Sequence, residues 1–170
     1  MILADQLASL GITDDHIDAC RLPTYEDADD LIDCGEDVFG RPLLMSNTTF
    51  QHWQPMATAA MKSNITLHIV SGYRSVEYQC DLIQRKLASG RSIDEVLQVN
   101  AIPGYSEHHT GRALDLTTPG AETLEESFEL TEAFSWLVEH AAEFGFSMSY
   151  PKNNTKGIAY EPWHWAYNAE

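Results

Sequence analysis

The sequence predicts a single α+β domain in which helices flank a mostly antiparallel central sheet. Segments with the β-branched, apolar character of strands are separated by segments whose apolar residues have helical spacing, and their order is too irregular for repeated βαβ units. A length of 170 residues suits one domain with its own core. The composition, with 44% hydrophobic and 21% charged residues, is typical of a folded chain.

The N-terminal part, residues 1–40, is predicted to be an extension of short helices and loops that packs on the domain. Apolar residues in ADQLASLG have helical spacing, and Gly11 ends this helix. A longer helix is expected at residues 47–62, where Thr48 or Thr49 can provide the N-terminal cap.

The middle of the chain is predicted to alternate between strand and helix. Residues 65–70 are β-branched and apolar, as in a buried strand, and a helix follows at residues 75–87. A further helix is indicated at residues 92–99, because Ser92 and Glu95 have the spacing of a capping box.

The last third supplies the remaining sheet. Residues 112–117 alternate so that Asp115 projects from the face opposite Leu114 and Leu116. An amphipathic helix is predicted for residues 134–144, and the stretches FSMSY and HWAY have strand character.

The charge of the chain excludes some classes of partner. A formal net charge of −16 repels the phosphates of nucleic acids and the anionic surface of a membrane. No segment reaches the apolar length that crosses a bilayer, and the N-terminus lacks the basic leader of a secretory signal. We therefore expect no nucleic-acid partner, no membrane span and, from the sequence by itself, a cytoplasmic protein.

The three cysteines do not form a recognisable metal motif. Cys20, Cys34 and Cys80 lack CxxC spacing, which argues against a zinc ribbon. Cys80 lies in a predicted helix, where a small buried side chain is expected. A disulfide between Cys20 and Cys34 stays open.

A metal site is the principal functional hypothesis. The stretch SEHHTGRALD places His108 and Asp115 on either side of a turn, and His164 follows near the C-terminus in YEPWHWAY. Two imidazoles and a carboxylate form a ligand set that zinc accepts in catalytic sites. Glu161, beside His164, could take a proton from a metal-activated water. His109 is the main rival ligand.

The other histidines, and a different set of ligands, stay as alternatives. We interpret as structural the remaining histidines, which are His16, His52, His68 and His140. A metal site built around His109 and His68 is a weaker hypothesis, and substitution of each histidine would distinguish the two.

Three stretches resemble one enzyme family. SGYRSVEYQ, SEHHTGRALD and GFSMSYPKNNTKGIAYEPWHWAY, in this order, are similar to the zinc D-alanyl-D-alanine carboxypeptidases of the VanY type, whose fold is shared with Hedgehog signalling domains. The resemblance extends from Arg41 to Tyr167. It implies a Hedgehog/D,D-peptidase-like fold and a catalytic domain at residues 41–170.

The resemblance also implies roles for seven residues. They are the zinc ligands His108, Asp115 and His164, the catalytic base Glu161, the oxyanion-stabilising Arg74, and the substrate-binding Gln79 and Ser106.

The implied reaction is hydrolysis, with Zn²⁺, of the bond before a terminal D-alanine in peptidoglycan stem peptides or muropeptides. Alternatives with the same site are an L-alanyl-D-glutamate endopeptidase, a D,D-dipeptidase and an L,D-carboxypeptidase. A non-catalytic zinc module is a further alternative, against which Glu161, Arg74 and Gln79 argue. The ligand set also accepts Fe²⁺, Co²⁺ or Ni²⁺. The family implies a monomer, located in the periplasm or cell wall if a precursor was trimmed.

Overall fold

The computed structural model describes residues 3–168, in which helices and strands follow one another in an irregular order. The helices are α1 (Leu3–Ser9), α2 (Asp14–Ala19), α3 (Asn47–Lys62), α4 (Val76–Ala88), α5 (Ile93–Leu97) and α6 (Glu132–His140). The strands are β1 (Leu31–Glu36), β2 (Pro42–Ser46), β3 (His68–Ser71), β4 (Ala113–Thr117), β5 (Phe146–Met148) and β6 (His164–Tyr167). Short 3₁₀ helices occupy Glu107–Thr110, Glu126–Leu130 and Ala141–Phe144.

The central sheet has the order β3-β4-β6-β5, and all of its neighbouring strands are antiparallel. This arrangement confirms the predicted fold class. Asp115 in β4 lies opposite Ser71 of β3 on one side and His164 of β6 on the other. Because directly opposite residues project from the same face of a sheet, the register places Asp115 and His164 side by side.

The two faces of β4 have different roles. Leu114 and Leu116 are fully buried in the main hydrophobic cluster, together with Met56 of α3 and Leu137 of α6. Asp115 projects from the opposite face, as the alternation predicted, and is also buried. A carboxylate in such a place needs a cationic or metal partner.

The N-terminal part contains a strand that the sequence did not indicate. β1 pairs with β2 in an antiparallel hairpin that forms a second, two-stranded sheet. The boundary that we predicted after residue 40 therefore falls in the turn of this hairpin. Helix α1 packs against α4 and α5 through a second cluster, which includes Leu7, Ile83 and Val96.

The predicted helices are present with small shifts at their ends. The capping box of Ser92 and Glu95 is formed. The predicted cap of α3 is wrong: Ser46 precedes the helix and its Oγ accepts a hydrogen bond from the Thr49 backbone N–H at 3.2 Å. Thr48 and Thr49 instead lie in the first turn.

The cysteines are free thiols, so no disulfide joins Cys20 and Cys34. Cys80 is buried in α4, as predicted. Between residues 3 and 168, none of the helices has both the length and the hydropathy that a membrane span requires.

Gly111 permits a close approach between the turn at residues 107–111 and β2. Its φ is +65°, and a Cβ at this position would lie 2.7 Å from the Ser46 backbone nitrogen. Gly120 also has a positive φ, of +85°, but a Cβ there would meet nothing within 4 Å.

We predict that Gly111→Ala lowers the free energy of unfolding well beyond Gly120→Ala. Both variants carry the strain of a left-handed conformation, about 1–2 kcal/mol, but only the first adds a clash with backbone. Urea denaturation of both variants gives the comparison. Equal losses of stability would contradict this account of Gly111.

Candidate metal centre and active site

The site is formed where the 3₁₀ helix at residues 107–110 meets strands β4 and β6. Ser106 begins this helix, and its Oγ accepts a hydrogen bond from the His108 backbone N–H at 3.3 Å. Gly111 ends it in a left-handed conformation. The turn therefore places His108 against Asp115, while the register of β4 and β6 adds His164.

His108 directs an unpaired nitrogen at Asp115. Its Nδ1 donates a hydrogen bond to the Gly72 carbonyl at 2.7 Å, which leaves the lone pair on Nε2. Nε2 lies 3.3 Å from Asp115 Oδ2 and makes no hydrogen bond. Burial and the charge of Arg74 lower the pKa of His108 to about 4, although Asp115 opposes this shift. Two acceptors thus face each other in a buried site.

His164 contacts carboxylates through both ring nitrogens. Nδ1 lies 3.2 Å from Asp115 Oδ1, and Nε2 lies 2.9 Å from Glu107 Oε2. Burial would lower the pKa of His164, but the hydrogen bonds to Asp115 and Glu107 raise it to about 10. Its two acidic neighbours therefore favour the imidazolium form of His164.

These three side chains fit a zinc ion. His108, Asp115 and His164 each offer a ligand atom, all within 4.8 Å of one another, and all three residues are buried. The donor set of two imidazoles and one carboxylate suits Zn²⁺. The most direct indication of a cation is the pair formed by His108 Nε2 and Asp115 Oδ2. Both atoms are acceptors, they face each other at 3.3 Å, and a cation between them would satisfy both.

Glu107 is a site residue that the sequence analysis missed. Its Oε2 accepts hydrogen bonds from His164 Nε2 at 2.9 Å and from Ser149 Oγ at 2.5 Å, and Lys156 Nζ lies 3.5 Å from Oε1. Burial would raise the pKa of Glu107, but His164, Ser149 and Lys156 together lower it to about 2. An anionic Glu107 keeps the Nε2 proton in place and leaves Nδ1 of His164 free to bind a metal.

We predict that Glu107→Ala weakens zinc binding by about 10- to 100-fold, the range for loss of a carboxylate that orients a metal-binding histidine. Competition with a chromophoric chelator measures this affinity. Glu122→Ala is a suitable control, because Glu122 is exposed and lies outside the site. An unchanged zinc affinity in Glu107→Ala would contradict the orienting role.

Glu161 lies beside the metal site and is the candidate base. Its Oε2 is 3.6 Å from Nδ1 of His164, and its backbone N–H donates to the Tyr150 carbonyl at 3.0 Å. Burial raises the pKa of Glu161 to about 7; the charge of Asp115 adds to this shift, while His164 and Arg74 oppose it. A carboxyl group with such a pKa can both accept and return a proton near neutrality.

The other candidate residues line one cleft of about 550 Å³ that also contains the three candidate ligands. Arg74 has a buried Nε that has no hydrogen-bond partner within residues 3–168. Gln79 is fully buried in α4, and its Nε2 donates to the Ala101 carbonyl at 2.9 Å. Ser106 borders the cleft as it caps the turn. The structure thus brings all seven residues together.

His109, the rival ligand, points away from the metal site. Its Nδ1 is 2.7 Å from the Arg74 carbonyl, and its Nε2 accepts from the Gly104 backbone N–H at 3.1 Å. Both nitrogens are therefore occupied by backbone groups. His68 is exposed at the start of β3 and is not part of the buried ligand group. Among residues 3–168, the structure therefore gives no support to the alternative site built on His109 and His68.

Comparison with known proteins identifies the family of this chain. The family model for VanY, D-alanyl-D-alanine carboxypeptidase, matches residues 42–170. A D-alanyl-D-alanine carboxypeptidase of Enterococcus faecium is 33% identical over 143 residues, which cover 82% of this chain and 42% of that enzyme. The chain spans about half the length, or less, of the curated relatives it matches.

Two solved structures are similar to this fold. The LdcB LD-carboxypeptidase aligns with a TM-score of 0.74 and 32% identity, covering 85% of this chain and 71% of that one. A mutant VanY D,D-pentapeptidase from the VanB-type resistance cassette, in complex with Zn(II), aligns with a TM-score of 0.64 and 26% identity, covering 86% and 82%. On the family match, the chain belongs to the VanY D-alanyl-D-alanine carboxypeptidase family.

Proposed function

We propose that this protein is a zinc carboxypeptidase that releases a terminal D-alanine from peptidoglycan stem peptides or muropeptides. The observation that carries the proposal is the position of Glu161, a largely buried carboxyl group whose Oε2 is 3.6 Å from His164 Nδ1 and which lies beside the His108, Asp115 and His164 group. A non-catalytic zinc module has no need for an acid with a raised pKa beside its metal ligands.

His108, Asp115 and His164 would hold the zinc ion, with Glu107 orienting His164. When bound, zinc would supply Lewis-acid activation of water and of the scissile carbonyl. The lone pair of His108 Nε2 is available because Nδ1 donates to Gly72. His164 would give up its Nδ1 proton on metal binding and keep the proton shared with Glu107.

Glu161 would move the proton in the reaction. Its carboxylate accepts a proton from the attacking water and then donates it to the amine of the departing D-alanine, so that it ends each cycle in its starting state. The raised pKa of this buried group, about 7, matches both steps.

Arg74 would stabilise the negative charge that develops on the scissile carbonyl oxygen. Its guanidinium lies in the cleft, and its charge acts on both His108 and Glu161. Its Nε makes no hydrogen bond within residues 3–168, so no protein acceptor holds the guanidinium through this atom. Gln79 and Ser106, on the same cleft, would contact the terminal residue.

The similarity to the LdcB LD-carboxypeptidase favours an L,D-carboxypeptidase as the second candidate.

For either activity, we propose that residues 41–170 form the catalytic domain and that residues 1–40 pack on it. We also propose that the active form is a monomer. The L-alanyl-D-glutamate endopeptidase and the D,D-dipeptidase are the other outcomes of the same test.

Mass spectrometry of peptide products tests the proposal. Zinc-loaded protein is incubated with pentapeptides that end in L-Lys-D-Ala-D-Ala or meso-diaminopimelate-D-Ala-D-Ala, and with the corresponding tetrapeptides. Loss of one D-alanine from the pentapeptides is the expected result, whereas loss only from the tetrapeptides would establish L,D specificity. Release of the intact D-Ala-D-Ala dipeptide, cleavage only at L-Ala-D-Glu, or no cleavage with zinc bound would overturn the carboxypeptidase proposal.

A further inference from the structure

One wall of the cleft carries basic side chains that have no acidic partner among residues 3–168. Arg74, Lys86 and Arg91 all line the cleft. In the range 3–168, the lysines and arginines that pair with carboxylates within 4.0 Å are Arg41, Lys152 and Lys156. Within residues 3–168, seven of the chain's 10 basic residues therefore have no carboxylate at this distance, and three of the seven line the same cleft.

Lys86 is held in place by a neutral side chain. Its Nζ donates to Oδ1 of Asn100 at 2.8 Å, and the buried Asn100 is fixed in turn by donation from Nδ2 to the Val96 carbonyl at 2.8 Å. An ammonium group has three N–H donors. In residues 3–168, the remaining two make no hydrogen bond to protein.

The environment of Lys86 disfavours its positive charge. The side chain is half-buried, and burial followed by the charges of Arg91 and Arg74 lowers the pKa of Lys86, whereas Glu161 opposes the shift. The three cations therefore interact with one another across the cleft wall. An anion bound among them would relieve this repulsion and use the free N–H donors of Lys86.

Gln79 adds an acceptor to the same wall. Its Nε2 is used by the Ala101 carbonyl, which leaves Oε1 buried and without a partner. Gln79 and Lys86 are seven residues apart on α4, about two turns or 10 Å, and share a face of the helix. Helical side chains lean toward the N-terminus, so Lys86 extends back toward Gln79. The cations of this wall therefore lie beside Gln79, a candidate residue for binding the terminal residue of the substrate.

We propose that Lys86, held by Asn100 and assisted by Arg91, binds a carboxylate of the peptide substrate. The inference rests on the proposed function and adds a determinant of specificity to it. Stem peptides offer this group in two places: the C-terminal carboxylate of the residue that is released, and the free α-carboxylate of the internal D-glutamyl residue. The experiment separates these two sources.

The test compares Lys86→Gln with the unmodified, zinc-loaded chain on three matched peptides. One has a free C-terminal D-alanine, one has the C-terminal amide, and one has the internal D-glutamyl carboxylate converted to an amide. Glutamine keeps a donor for Asn100 but removes the charge. Loss of one charge-assisted hydrogen bond predicts a fall in kcat/KM of about 10- to 100-fold, mainly through KM. This fall should be confined to peptides that retain the recognised carboxylate.

The pattern of the loss identifies the carboxylate. If Lys86→Gln no longer discriminates against the C-terminal amide, the terminal carboxylate is the ligand. If the Lys86→Gln variant no longer discriminates against the peptide with the internal amide, the D-glutamyl carboxylate is the ligand. Equal losses on all three peptides, or no loss on any of them, would overturn the proposal.

Two further variants serve as controls. Lys62→Gln is a matched control, because Lys62 lies in the last turn of α3 as Lys86 lies in the last turn of α4, but is exposed. The kcat/KM of the Lys62→Gln variant should equal that of the unmodified chain on all three peptides. Lys86→Arg keeps the charge and should keep the discrimination between peptides.

Calorimetric binding of the same peptides separates this inference from the proposed function. If the unmodified chain hydrolyses none of them, the proposed reaction is wrong. Lys86 is still tested by whether its substitution weakens binding of the free peptide relative to the amides. If the unmodified chain and the Lys86→Gln variant bind each peptide with the same affinity, the proposed carboxylate site is contradicted.

Discussion

Glu161→Gln is expected to reduce hydrolysis by about 10²- to 10⁴-fold, the range for loss of a general acid–base group, while zinc remains bound. Glutamine has nearly the same shape but cannot accept or return the proton. The three candidate metal ligands are left intact, so the zinc content of the purified variant should equal that of the unmodified chain. Release of D-alanine from a pentapeptide, followed together with zinc content by mass spectrometry, makes the measurement.

A control separates the proton-transfer role from a general charge effect. Glu122→Gln makes the same change at an exposed position outside the cleft and should leave turnover unchanged. Activity in Glu161→Gln within a few-fold of the unmodified chain would rule out Glu161 as the base. Loss of zinc along with activity would instead indicate that Glu161 is a metal ligand.

The adjacent histidines His108 and His109 should respond to substitution in opposite ways. His108→Ala removes a candidate ligand, and we expect zinc no longer to stabilise the protein. For the unmodified chain, zinc at 100 times its Kd should add about 2.7 kcal/mol. His109→Asn should lower the stability of the apo protein by about 1–3 kcal/mol, because it disturbs buried hydrogen bonds to Arg74 and Gly104.

Thermal unfolding with and without zinc distinguishes the two effects. His109→Asn should unfold at a lower temperature but keep the full upward shift that zinc produces. His108→Ala should lose that shift. A zinc-dependent shift that survives in His108→Ala and disappears in His109→Asn would reverse the assignment of ligand and structural residue.

The sequence by itself predicted the elements of the central sheet, because their signals are local. The alternation around Asp115 indicated which face of β4 carries the carboxylate, and the β-branched run before Gly72 indicated β3. The pairing of Asp115 with His164 could not be obtained in this way, since the two residues are 49 positions apart and only the register of β4 and β6 joins them. The family resemblance supplied that link.

The errors also have physical causes. Strand β1 lies in an acidic, half-exposed stretch whose partner is a single neighbouring strand, so it lacks the apolar alternation of a sheet with one buried face. The cap of α3 was misplaced because Ser46 and the two threonines after Asn47 are all good capping residues, and propensity does not choose among them.

Glu107 was missed although it lies within the stretch SEHHTGRALD. Its neighbour His108 has the stronger signal, and the partner of Glu107, His164, is 57 residues away. A carboxylate next in sequence to a candidate metal-binding histidine could have been proposed as a residue that orients another ligand. The sequence analysis also did not single out Lys86, because a lysine at the end of an amphipathic helix is usually interpreted as an exposed surface residue.

Diffraction data from zinc-loaded crystals, collected on both sides of the zinc absorption edge, test the central claim most directly. The account predicts one anomalous peak bounded by His108 Nε2, an Asp115 oxygen and His164 Nδ1, with Glu161 beside it and Glu107 on the far nitrogen of His164. A peak coordinated by His109, or one with Glu161 or Glu107 as a direct ligand, would contradict the metal site and the reaction built on it.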